Sequence, residues 1–104
     1  MVYVIATIEV DPQRVGDFLA ELRQNVPNVR GEAGCLQYEP TVDAATDISA
    51  QIPLRRGVVT IVEQWQSLAA LQDHLKAPHM TQYRQRVKEM IRGVSLQVLE
   101  RAPG

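Results

Sequence analysis

The sequence predicts one α+β domain with the element order β-α-β-β-α-β, in which two helices cover one face of a four-stranded antiparallel sheet. Two stretches, 2–10 and 58–65, are rich in β-branched residues, and each is followed by apolar residues at helical spacing. Shorter alternating stretches begin at residues 35 and 94. A chain of 104 residues suits a single domain spanning 1–104, so we expect this ferredoxin-like arrangement to be complete in one unit.

Residues 2–10 form the first predicted strand, and Asp11 and Pro12 then supply the N-cap and the first-turn proline of a helix. Apolar residues follow at helical spacing, namely Val15, Phe18, Leu19, Leu22 and Val26. Pro27 cannot donate a backbone hydrogen bond, and it disfavours helical backbone at the residue before it. We therefore expect the helix to end or kink near Asn25, with a short turn beyond.

The middle of the chain contains two further predicted strands separated by a long connection. Residues 35–39 alternate in polarity after a glycine-containing break and lead to Pro40, where the strand should end. Residues 42–57 mix charged, proline and glycine residues with isolated apolar ones, which is typical of a loop. Residues 58–65, with Val and Ile dominant, form the strongest predicted strand.

The last third predicts two helical pieces and a final strand. Ser67 can cap a helix carrying Leu68, Leu71 and Leu75, and Pro78 can open a second helix after a kink. The second piece has an apolar side, consisting of Met80, Tyr83, Val87, Met90 and Ile91. Gly93 is placed to end it, residues 94–99 read as a strand, and the tail 101–104 should fray.

The sheet is expected to bury both of its faces. Strands one, three and four carry apolar residues on both sides, but the helices cover only one face. An uncovered apolar face calls for a partner. We therefore predict a homodimer with the two sheets face to face.

Composition excludes several classes of function. With 11 Lys and Arg against 12 Asp and Glu, the chain lacks the basic excess that nucleic-acid binding usually needs. No apolar run approaches the ~20 residues of a membrane span, and the start has no basic region or cleavage site of a signal peptide. The single Cys35 cannot form an intrachain disulfide, so a cytoplasmic location is expected.

Three motifs in order resemble one known family. They are Glu32-Ala33-Gly34-Cys35-Leu36-Gln37-Tyr38, then Glu63-Gln64-Trp65-Gln66-Ser67, then Leu71 with His74-Leu75 and Pro78-His79. From about residue 2 to residue 100, the chain resembles the antibiotic biosynthesis monooxygenase domain family, and within it the small quinol monooxygenase-like proteins. The resemblance implies a dimeric α+β barrel with a cavity between helices and sheet in each subunit.

The resemblance also implies an activity. Monooxygenases of this family oxidise quinols or aromatic polyphenols with molecular oxygen and need no flavin, haem or metal, so no cofactor is expected. The haem-degrading branch of the superfamily uses a strand-one asparagine, a tryptophan and a helix-two histidine. Trp65 resembles that tryptophan, but residues 2–10 contain no asparagine and residues 80–92 no histidine, which disfavours haem degradation. The loop 42–57 is longer than the usual turn and could cover the cavity or reach across the dimer.

The two histidines are the candidate catalytic residues. A neutral imidazole can take a proton from a phenol near pH 7, and we choose His79 first and His74 second for this role. The structural alternatives are that His79 only caps or packs the kink, and that His74 is a core or interface histidine. Their spacing of five residues, interrupted by Pro78, does not match the i,i+4 pair of a helical zinc site, so no metal site is predicted.

Four other residues are candidates for substrate binding. Trp65 and Tyr83 offer flat faces to an aromatic ring, while Tyr38 and Glu63 could orient a hydroxyl group. Ordinary core packing of the aromatics and solvent exposure of Glu63 are the alternatives. The rival functions are a non-oxidative small-molecule isomerase of the same fold and a non-enzymatic dimeric ligand-binding or stress protein.

Overall fold

The four strands pair antiparallel in the spatial order β2-β3-β1-β4, which confirms the ferredoxin-like α+β fold predicted from the sequence. The computed structural model describes all 104 residues. Its strands are β1 (Val2–Val10), β2 (Cys35–Thr41), β3 (Val58–Trp65) and β4 (Ile91–Glu100). Its helices are α1 (Val15–Arg30), preceded by a 3₁₀ turn at Pro12–Arg14, then α2 (Leu68–Lys76) and α3 (Pro78–Val87).

The core lies between the helices and one face of the sheet. Alternation in β1 turns Val4, Ala6 and Ile8 towards the helices, and alternation in β3 does the same for its odd-numbered residues. From α1, Phe18 and Leu22 fill the centre and are fully buried. Burying side chains of this size contributes about 1.5–3 kcal/mol each, so this layer stabilises the fold and fixes the cavity beside it.

The helix starts follow the local signals in the sequence. The Asp11 carboxylate accepts a hydrogen bond from the backbone N–H of Gln13 (3.0 Å), and the Ser67 hydroxyl accepts one from that of Ala70 (3.1 Å). These caps satisfy backbone donors that have no partner within the helix. Between α2 and α3, Ala77 adopts an extended backbone with ψ 139°, and Pro78 begins α3, so the expected kink is a true break.

The predicted end of α1 near Asn25 is wrong, because the helix continues through Pro27 to Arg30. The residues on either side of the proline, Val26 and Val29, are buried against the rest of the core. Their burial outweighs the single backbone hydrogen bond that the proline cannot make.

The predicted end of the last helix at Gly93 is also wrong. The helix α3 ends at Val87, and residues 91–93, placed by the sequence on the helix or at its end, belong to β4. The reason is pairing with β1, in which Val10 lies opposite Ile91 and Glu9 opposite Gly93. These partners are 81 and 84 positions apart in the chain, so the local pattern did not reveal the pairing.

The helices leave strand β4 largely uncovered. Direct antiparallel partners share a face, so Val94, Leu96 and Val98 lie on the helix side opposite Ile8, Ala6 and Val4, yet they are about half exposed. On the other face of the sheet, Tyr3 and its partner Leu99 are also exposed. None of the helices combines the length and apolar character that crossing a lipid bilayer requires.

Candidate functional site

A cavity of about 330 Å³ lies between the helical layer and the sheet, and its wall is mostly apolar. It extends from buried residues in the middle of β1 and β3 to the uncovered residues of β4, with Val94 and Leu96 at its border. The polar side chains that line it are Tyr38, Glu63, His74, Tyr83 and Arg84. A buried apolar space with a few converging polar groups is the usual form of a small-molecule site.

A wider groove of about 460 Å³ lies on the outer side of α1, between that helix and β2. It is lined by Arg23, Arg30 and Glu39 among others, and Arg30 is already paired with Glu39 at 2.9 Å. The charged groups in it are exposed to solvent. We therefore place the candidate site in the smaller cavity, where all the polar lining residues except Arg84 are buried.

His74 projects from α2 into the wall of the cavity, and its side chain is 2 % exposed. Its ring stacks at a tilt on Trp65, with centroids 4.7 Å apart, and meets the edge of Tyr38 at 5.6 Å. Its Nδ1 lies 2.8 Å from Oε2 of Glu32. Burial lowers the pKa of His74, and the Glu32 carboxylate opposes that effect. The ring is thus held rigidly, with Nε2 as the nitrogen not engaged by Glu32.

His79 lies in the first turn of α3 and does not line the cavity. Its Nε2 is 2.5 Å from Oε1 of Glu32, and its Nδ1 is 3.2 Å from Oδ1 of Asn25. The break at Ala77 turns α3 relative to α2, so one carboxylate contacts both histidines. His79 therefore reaches the cavity only through Glu32 and His74.

Glu63 is buried in the cavity wall, with 5 % of its surface exposed, and not at a solvated strand end. Its Oε1 accepts a hydrogen bond from the indole Nε1 of Trp65 at 3.0 Å. Burial raises the pKa of Glu63 to about 7, the hydrogen bond from Trp65 opposes this, and the nearby charge of Glu32 adds to it. Glu63 can thus exchange a proton near neutral pH. Trp65 lies beneath His74 and outside the cavity surface.

Tyr38 and Tyr83 line the cavity from β2 and α3. Both therefore lie where a residue predicted to bind substrate has to lie. Burial raises the pKa of Tyr83 to about 12 and that of Tyr38 well above its usual range. Both phenols therefore stay protonated at neutral pH and can donate a hydrogen bond to a bound ligand.

Five of the six candidate residues thus lie in the cavity wall or directly beneath it. The sixth, His79, is connected to the cavity only through Glu32 and His74. The structure adds Glu32, Asn25 and Arg84, which the sequence reasoning did not choose. Asn25 had a usable signal, because it continues the spacing of the buried α1 residues Phe18, Leu22 and Val29. The expected end of the helix at that residue obscured the pattern.

Glu32 begins the first of the three family motifs, but no local pattern marks it as a site residue, since it lies in the turn between α1 and β2. Its partners are 42 and 47 residues away in the chain. No group of three or more His, Cys, Asp and Glu side chains in the structure is arranged to hold a metal ion.

Comparison with known proteins agrees with this architecture. Among curated proteins, the chain is 37 % identical over 105 residues to the probable quinol monooxygenase YgiN of Escherichia coli K12, with 96 % of this chain and 97 % of that protein covered. The YgiN protein of Shigella flexneri matches to the same extent.

Solved structures give the same result. A protein of Pseudomonas aeruginosa superposes with a TM-score of 0.80 at 28 % identity, over 98 % of this chain and 94 % of that one. One of Mycobacterium tuberculosis superposes with a TM-score of 0.79 at 28 % identity, over 99 % and 96 %. The model of the family described as antibiotic biosynthesis monooxygenase matches residues 1–86. The resemblance seen in the sequence is thereby confirmed, and this chain belongs to the antibiotic biosynthesis monooxygenase family.

Proposed function

We propose that the protein is a cofactor-independent monooxygenase that oxidises a quinol or another aromatic polyphenol with molecular oxygen. Membership of the family and the similarity to a protein named probable quinol monooxygenase support a reaction of this type. The observation that carries the proposal is a mostly apolar cavity of about 330 Å³ with the buried imidazole of His74 in its wall. The aromatic ring of such a substrate can pack against the apolar wall. Its hydroxyl group must lose a proton during oxidation, and His74 is the base that can accept it.

The first step is removal of a hydroxyl proton by His74. Burial lowers the pKa of His74, which favours the neutral ring, and Glu32 leaves its Nε2 available to accept a proton from a phenol in the cavity. The resulting phenolate is electron-rich and can pass an electron to oxygen. The carboxylate of Glu32 stabilises the imidazolium that forms, because it accepts a hydrogen bond from Nδ1 at 2.8 Å.

The substrate itself supplies every electron that the reaction needs. For a simple hydroquinone, reaction with one O₂ gives a hydroxyquinone and one water, so one oxygen atom enters the ring and the other is reduced to water. The quinol loses four electrons in all, and O₂ accepts four. The balance therefore requires no external reductant.

The other candidate residues serve orientation in this proposal. Tyr38, Tyr83 and Glu63 place hydrogen-bonding groups in an otherwise apolar wall, so they can fix the hydroxyl groups of the ring. Trp65 holds Glu63 through its indole N–H and supports the His74 ring from beneath. His79 acts on the site through Glu32.

Oxygen consumption with a panel of hydroquinones, without added metal or cofactor, tests the proposal. We expect wild-type turnover, and a loss of about 10²- to 10⁴-fold in kcat/KM for His74→Ala, the range that a positioned general base contributes. The matched control is Gln72→Ala, an exposed position two residues earlier on α2, which should retain activity. Ligand binding without oxygen uptake would instead favour a sequestering protein, and anaerobic turnover an isomerase.

A further inference from the structure

The buried side-chain amide of Asn25 faces a ring nitrogen of His79. The asparagine is 2 % exposed, and its Oδ1 receives a hydrogen bond from the side-chain nitrogen of Asn28 at 3.1 Å. The same oxygen lies 3.2 Å from Nδ1 of His79. The amide nitrogen of Asn25 donates to the sulfur of Met80 at 3.2 Å, which supports this orientation of the amide. Because an amide oxygen can only accept hydrogen bonds, Nδ1 of His79 then carries the hydrogen.

The second nitrogen of His79 faces Oε1 of Glu32 at 2.5 Å. An ionised carboxylate also only accepts, so this contact needs a hydrogen as well. Either Nε2 carries it and His79 is an imidazolium, or Glu32 is protonated. In both descriptions one extra proton is shared between Glu32 and His79, and the pair has no net charge.

This shared proton acts on His74 through the other oxygen of Glu32. Oε2 accepts from Nδ1 of His74 at 2.8 Å, which leaves the lone pair on Nε2 for the cavity. A Glu32 without the shared proton would attract a second proton to His74 and block its use as a base. The neutral Glu32–His79 pair therefore permits His74 to stay unprotonated at Nε2.

We propose that Asn25 and Glu32 are positioning residues that keep one proton on the Glu32–His79 pair and hold His74 as the Nδ1–H tautomer, with Nε2 ready to accept a substrate proton. The catalytic role of Nε2 in this proposal rests on the proposed function. The positions of the protons on His74, His79 and Glu32 do not depend on it. Neither Asn25 nor Glu32 touches the substrate in this scheme, since neither lines the cavity.

The two positioning residues should shift the protonation of His74 in opposite directions. Glu32→Gln keeps the shape and can still accept from His74 and donate to His79, but it removes the carboxylate, so His74 should titrate about one pH unit lower. Asn25→Leu removes the acceptor, so His79 can turn to its Nε2–H tautomer and leave Glu32 ionised. His74 should then titrate at higher pH. Gln24→Ala, an exposed neighbour on α1, is the matched control and should shift neither histidine.

The charges of the other groups around His74 must not change during this comparison. Tyr38 faces it from β2, Glu63 from β3, and Arg84 from α3. Of these, Glu63 changes charge near neutral pH, so the titrations are best done in a Glu63→Gln background as well as in wild type.

Long-range ¹H–¹⁵N correlation spectra of ring-labelled histidine measure the arrangement directly, and with two histidines in the chain the assignment is simple. We expect His74 as the Nδ1–H tautomer and Nδ1 of His79 protonated in the wild-type protein. His74 as the Nε2–H tautomer would overturn the inference, as would shifts in the same direction in the two variants. If Asn25→Leu does not fold, the wild-type spectrum and Glu32→Gln still decide.

The kinetic arm separates this inference from the proposed function. The acidic limb of kcat/KM for quinol oxidation should follow the His74 midpoint in each variant. If no quinol is oxidised, the proposed function fails while the ring-nitrogen spectra still decide the inference. If quinols are oxidised but the limb does not follow His74, the positioning role is wrong.

Discussion

Glu63 shows how far a residue can depart from its ordinary chemistry once the fold buries it. Its pKa rises from 4.5 to about 7, so the folded protein holds a proton on it that the unfolded chain releases. Between these two values the folded state binds more protons than the unfolded state, and stability therefore falls as the pH rises. Above about pH 7 the free-energy cost of burying the ionised Glu63 no longer changes with pH.

Replacing Glu63 by Gln should remove this dependence while keeping an oxygen that can accept from Trp65. The free energy of unfolding of wild type, relative to Glu63→Gln, should fall by up to roughly 3 kcal/mol between pH 4 and pH 8, at about 1.4 kcal/mol for each unit of pKa shift. Urea unfolding of both proteins across this range measures the difference. A difference that does not change with pH would show that Glu63 titrates normally.

Among the helices and strands, local sequence patterns predict the bounds correctly where residues close in sequence determine the structure. The bounds of β1 and β3 follow from the alternating, β-branched sequence. The starts of α2 and α3 follow from the Ser67 cap and from Pro78 as the first helical residue. The errors at Asn25 and Gly93 arose because burial across the core and pairing with β1 overrode local signals. The same reason hid Glu32, whose partners lie on α2 and α3.

Gly34 fixes the approach of β2 to α2, and through it the position of Glu32 two residues earlier. It has a φ of +85°, and a Cβ there would lie 2.7 Å from the Cβ of Ala70. We expect Gly34→Ala to destabilise the protein by about 1–3 kcal/mol, because it combines strained backbone with this clash. Gly16→Ala on α1 is the matched control, since its Cβ meets nothing within 4 Å, and it should stabilise by about 0.4–1 kcal/mol.

Chemical denaturation of the two glycine variants checks this contrast. An equal effect at both positions would mean that the loss of glycine flexibility, and not the contact with α2, determines the result. The Gly34 variant should also weaken the contacts of Glu32 with His74 and His79, which the histidine spectra would register.

In the molecule as a whole, several large apolar side chains are exposed to solvent in the single chain, and nothing within that chain covers them. Tyr3 and Leu99 lie opposite each other on the open face of the sheet and are 40 % and 41 % exposed. Paired exposed apolar side chains on an open sheet face indicate an interface. We expect a homodimer in which two such faces meet, as the sequence pattern suggested.

Sedimentation equilibrium at micromolar concentration tests the dimer. In a two-fold interface Leu99 occurs twice, so Leu99→Glu should raise the dissociation constant about tenfold or more. Leu68→Glu, at an exposed apolar position on α2 away from that face, should leave it unchanged. A stable wild-type monomer at these concentrations would contradict the expectation.

In the function that we propose, one oxygen atom is inserted into an aromatic substrate in the cavity beside His74. Turnover of a hydroquinone under ¹⁸O₂, with the product analysed by mass spectrometry, tests it most directly. We expect one ¹⁸O atom in each product molecule and the second in water, with the rate of labelling greatly reduced in His74→Ala. Product that forms without ¹⁸O, or that forms equally well in His74→Ala, would contradict it.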